Sequence, residues 1–137
     1  MQSDQDVYNQ LSYYTLAHKD PAFIHQHIVD AYTAQIADKN TKPIAIAFAL
    51  AGLYLYLKKD FTGKQVQQMH MKMAKRKREW PSFDLPKYKG DITVHEVLAT
   101  PDGFARDEMI REWCISVWNA YASSQGKVSK LLSEYLK

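Results

Sequence analysis

Cysteine is all but missing from this chain: Cys114 is the only one among 137 residues. A single thiol closes no intramolecular disulfide and builds no cysteine-only zinc site, so the fold has to rest on a hydrophobic core. The same scarcity points to a reducing compartment, and the cytoplasm is the expected location. Glycine and proline are also sparse, five of each. They fall where helices would start or stop, and no Gly/Pro-rich linker divides the chain. A strong charge of one sign is absent too. The formal net charge is +3, far from the basic excess of many nucleic-acid-binding domains. Met1–Asp6 is polar and acidic, which predicts no export signal. The longest apolar run, Pro43 to Leu57, is about fifteen residues against the roughly 20 that cross a bilayer, so no membrane partner is expected.

What the chain does have is apolar mass. A hydrophobic content of 46% is enough to enclose a core at this length, and a single helical domain over residues 1–137 is expected. Val7, Leu11, Tyr14 and His18 recur at helical spacing and predict a first helix from Asp4 to Lys19. Asp20-Pro21 reads as an N-cap with proline at the first helical position, opening a second helix to Ala37. Pro43–Leu57 is apolar on every side and reads as the central helix, its Ala45, Ala49 and Gly52 forming a small-residue strip for close packing.

Thr62 and Gln65 form a capping box for a fourth helix that ends at Glu79, before Trp80-Pro81. An ordered loop follows to Ile92, and a second capping box, Thr93 with Glu96, starts a short helix ending near Thr100-Pro101. A long helix over Asp102–Ser123 turns Ile110, Trp113, Cys114, Val117 and Tyr121 inward, with Trp118 at the margin. Gly126 is expected to break it before a last helix carrying Val128, Leu131, Leu132 and Tyr135. No segment alternates as a strand does. The expected fold is an all-α bundle of five to seven helices around the central apolar one.

Histidine supplies the candidate chemistry, because imidazole both ligates metals and carries protons near neutral pH. His25 lies in the stripe Ile28, Val29, Tyr32 and Ile36, while His27 points the other way with Phe23, Asp30 and Ala34. His70 shares a face with Val66, Met69 and Met73, and His18 closes the stripe of the first helix. Three inward histidines on separate helices, His18, His25 and His70, predict a pocket for a small ligand or a divalent metal such as zinc, with Tyr32, Gln35 and Tyr54 nearby. The opposing expectation is that each is a neutral core histidine bonded to a carbonyl, a hydroxyl or Gln35. No HExxH pair, phosphate loop or GxSxG elbow is present, and Cys114 sits in an apolar stripe, where a thiol acts as a small hydrophobe. No substrate class follows, and whether the protein is an enzyme stays open.

The basic run Lys72, Lys75, Arg76, Lys77 and Arg78, near Trp80 and Tyr88, allows a competing reading as a non-enzymatic interaction module. Its partner would be another protein or a second copy of the chain; nucleic acid is the weaker alternative, since cations also complement a helix C-terminus.

The string YTLAHKDPAFIHQHIVDAYTAQ, Tyr14 to Gln35, resembles an uncharacterised bacterial family known as a domain of unknown function. AFALAGLYLYL, VQQMHMKMA, WPSFDLP, TVHEVLA and REWCISVWNAY resemble further segments of it, so the likeness spans nearly the whole chain. It implies an all-helical fold and no established activity. Longer relatives begin with a cysteine-containing head suited to metal, and nothing before Tyr8 is comparable here. The likeness also places His18, His25, Asp30, Gln35 and His70 within family-like motifs.

Overall fold

The structure is a computed structural model that describes residues 3–17, 20 and 22–136. Among them are seven α-helices and no strand: α1 (Asp4–Ala17), α2 (His25–Ile36), α3 (Pro43–Lys59), α4 (Gly63–Ala74), α5 (Val94–Ala99), α6 (Phe104–Ala120) and α7 (Gln125–Ser133). No helix is long and apolar enough to cross a membrane, among the described residues.

α3 begins at Pro43, whose missing N–H costs nothing at a first helical position. It ends at Asp60 in the left-handed conformation, and the Asp60 and Phe61 amides both close back onto the Leu55 carbonyl. It packs against α2, α4, α6 and α7, which is why Leu50, Ala51, Leu53 and Leu55 are fully buried. The capping box predicted at Thr62 is formed: Gln65 N–H donates to Thr62 Oγ1 at 3.2 Å and Thr62 N–H to Gln65 Oε1 at 2.8 Å. Thr93 and Glu96 start α5 in the same reciprocal way.

Three boundaries differ from the periodicity. α2 starts at His25 because the Asp20 carboxylate takes the N–H groups of Ala22 (2.9 Å) and Ile24 (3.2 Å), holding a turn in which Phe23 is left-handed at φ 58°. α4 stops at Ala74 rather than Glu79. The segment after it leaves the helix and is held to the residues following α7: Arg78 pairs with Glu134 at 2.9 Å, while Lys72, in the last turn of α4, donates Nζ–H to the Tyr135 carbonyl at 2.8 Å. Gly126 lies inside α7, and the break comes earlier, at Tyr121 and the 3₁₀ turn Ala122–Ser124.

α2 also departs from the expected single inward stripe. It packs against α1, α3, α4 and α6, so residues on both sides of it are buried: Ile28 and Tyr32, but also His27, Asp30, Ala31 and Ala34. Ile36, expected inward, is 51% exposed. Asp30 fits because position 52 is glycine, where any Cβ would collide with its carboxyl group.

Candidate ligand pocket

The expected histidine cluster is not assembled by the described residues. His18 lies outside them. His25 Nδ1 is 2.9 Å from Thr15 Oγ1, whose own proton goes to the Ser12 carbonyl at 3.0 Å, so the imidazole is the donor. His70 donates Nε2–H to the Phe48 carbonyl at 2.8 Å and lies against the Phe48 ring. Burial lowers the pKa of both rings; the carbonyl bond opposes it at His70. Nowhere among the described residues do three His, Cys, Asp or Glu side chains gather to hold one metal ion.

Tyr32 and Gln35 share the wall of a cavity of about 420 Å³ with Asp4, Ile36 and Lys89. Gln35 is engaged in hydrogen bonds and Tyr32 in a ring stack. Gln35 donates Nε2–H to the carbonyls of Ile92 (2.7 Å) and Lys89 (3.2 Å) and accepts Trp113 Nε1–H at 2.9 Å, fastening the loop before α5 to α6. Tyr32 stacks on Tyr8 with ring centres 4.1 Å apart. Tyr54 faces α7 instead, its hydroxyl 3.4 Å from Ser129 Oγ.

The pairing of Arg78 with Glu134 is one use of the basic run. Arg76 lies over the Tyr135 ring and Arg78 over Trp80, so much of this charge fastens the segment after α4 to α7. Met69 and Met73 are buried and Met71 exposed, as expected for space-filling side chains on one face.

Unpartnered chemistry sits elsewhere, where Asp20 and residues 22–24 meet the end of α3 and the start of α4. Asp20, Ala22, Ile24, His27, Tyr56, Asp60, Phe61 and Thr62 line a cavity of about 250 Å³. The turn is locked onto α4: Lys64 N–H donates to the Ala22 carbonyl at 3.2 Å, and Gly63 leaves room for the Phe23 carbonyl where a Cβ could not fit. His27 is only 4% exposed and lies flat on Tyr56, ring centres 3.6 Å apart and planes within 10°. Its Nδ1 is buried without a hydrogen-bond partner among the described residues. Burial lowers its pKa to about 4 although Asp20 opposes the shift, so the ring is neutral at pH 7. Arg111 lies 5.2 Å from the centre of the Tyr56 ring.

Beneath this cavity the same helix face carries Asp30, 3% exposed. Gln26 Nε2–H donates to its Oδ1 at 3.2 Å, and its Oδ2 has no partner. Burial raises its pKa well above the ordinary carboxylate value and so favours the protonated form. Cys114, fully buried, directs its thiol to the His27 carbonyl at 3.7 Å, and burial raises its pKa, so it is no nucleophile. Two signals for this site are present in the sequence: His27 and Asp30 share one helix face at i, i+3, and Gly52 interrupts an otherwise apolar helix where only a close approach explains it.

Comparison with known proteins finds no match among curated proteins and none among solved structures. A family of unknown function, DUF5946, matches residues 3–122, which takes in the pocket and every helix from α1 to α6. This chain is a member of that family.

Proposed function

We propose that this protein binds a small ligand in the cavity walled by Asp20, Ala22, Ile24, His27, Tyr56 and Phe61. One observation carries the reading: an almost completely buried imidazole stands in the cavity wall, its Nδ1 without a hydrogen-bond partner among the described residues. Orphaned buried polar groups cost about 1–3 kcal/mol, and folds retain them chiefly where something else completes them. At about 250 Å³ the cavity falls just under the roughly 300 Å³ at which sites for drug-sized ligands begin, which favours a compact guest. This moves the histidine-lined pocket expected from the sequence away from His18, His25 and His70 to His27.

The experiment is a saturation-transfer and chemical-shift screen of small aromatic and aliphatic fragments against the wild type and His27→Phe. Hits should perturb His27, Tyr56 and Phe61 and be lost in the variant. Hits confined to the Tyr32 and Gln35 cavity would refute the assignment. A single domain over 1–137 and a cytoplasmic location complete the proposal, supported by the packing of α2 on α6 and α3 on α7 and by a lone buried thiol.

A second reading, a homodimer, is favoured by Phe104 and Tyr13, about 80% and 77% exposed, the latter bordering a groove with Leu98 and Arg106. Sedimentation equilibrium decides it. A monomer at all concentrations rules it out.

A further inference from the structure

We infer that the cavity at His27 takes a small organic cation, an ammonium group on an apolar frame, held between the carboxylates of Asp20 and Asp60. The inference rests on the ligand-binding reading above and specifies its chemistry.

Four observations support it. First, the only charged side chains among the described residues that line the cavity are Asp20 and Asp60. The Arg111 guanidinium lies 5.2 Å from the centre of the Tyr56 ring and is already shared between Asp60 and Glu108 as charge partners. Second, the unpartnered His27 ring adds an acceptor rather than a cation, because it is neutral at pH 7; a neutral imidazole always leaves one nitrogen lone pair for an N–H donor. Third, two of the amides at the start of α4 that could recognise an anion are taken. The start of α4 borders the cavity, and helix N-termini are ready anion sites. Here the Lys64 amide is bonded to Ala22 and the Gln65 amide to Thr62. Fourth, no three acidic or imidazole groups among the described residues approach closely enough to share a metal ion, and an organic cation brings a molecular frame of its own. Ile24 and Phe61 supply the apolar wall for that frame. Asp20 is held for the task by the amides of Ala22 and Ile24, which leave further lone pairs on both oxygens.

The probes are benzylammonium, benzyl alcohol and benzoate, equal in frame and different in charge, titrated at pH 7 into the full chain and followed by calorimetry and by the shifts of His27, Tyr56 and Phe61. The test variant is Asp60→Asn. Asp60 is exposed and left-handed, a conformation asparagine adopts readily, so the variant should fold as the wild type does. Benzylammonium should bind at least ten-fold more tightly than either other probe, and Asp60→Asn should weaken it at least five-fold while leaving benzyl alcohol unchanged. Benzoate or benzyl alcohol binding as tightly, with shifts at the same residues, would overturn the charge assignment and leave the pocket standing. No shift at those residues with any probe would overturn both.

Discussion

The carboxyl group of Asp30 on α2 rests against the Cα of Gly52 on α3, so closely that the two positions specify one another. The centre of the bundle is therefore set by a polar side chain fitted into a missing one. Gly52→Ala should destabilise the wild type by about 1–3 kcal/mol, as overpacking does, and by much less when Asp30 is already alanine. A double-mutant cycle measured by urea denaturation checks this. Additive losses would mean that α2 and α3 shift apart freely.

Asp30 should also give stability a pH dependence of unusual sign. Its pKa is raised in the fold, so its contribution is complete below the unfolded value near 4 and falls as pH climbs from there toward its folded pKa. Asp30→Asn cannot ionise and keeps the Gln26 bond. It should match the wild type below pH 4 and exceed it at pH 7. A wild type that is the more stable at pH 7 would show Asp30 to be ionised.

His27 acts in the opposite direction. Its folded pKa of about 4 lies below the unfolded value near 6.5, so its contribution is complete above pH 6.5 and is lost as pH falls toward 4. His25 and His70, also lowered, share this sign. Acidifying from pH 7 to 4.5 should cost the wild type roughly 2 kcal/mol more than His27→Phe, which keeps the stack on Tyr56 without a proton to bind. Equal losses would remove His27 as the acid-sensitive group.

Gln35 is a three-way fastener, and Gln35→Leu should cost about 2–4 kcal/mol, because the buried Trp113 indole and two loop carbonyls lose their partner together. Limited proteolysis should then cut between Lys87 and Thr93 first. An unchanged cleavage pattern would show the loop held by other contacts.

Much of this fold was legible beforehand. Pro43, the uniform apolarity after it and the two capping boxes fix α3 and the starts of α4 and α5, because propensity, caps and packing agree there. The errors arose where long-range contacts overrule local pattern. Nothing in the sequence around Phe23 announces a left-handed residue; that conformation depends on Asp20 and on α4, forty residues on. The end of α4 depends on Glu134 near the other end of the chain. An amphipathic reading turns His27 away from the inward stripe because it assumes one wet face, whereas α2 is packed on several sides. The proposed site was hidden by that same assumption.

The left-handed Phe23 has a last consequence, for rates rather than energies. That conformation costs a non-glycine residue about 1–2 kcal/mol, and the bonds from Asp20 and Lys64 hold it against relaxation. A wall so constrained does not need to be ordered when a guest arrives. Association at such a site runs at the pace of diffusion and desolvation, and differences among guests register in how long each one stays.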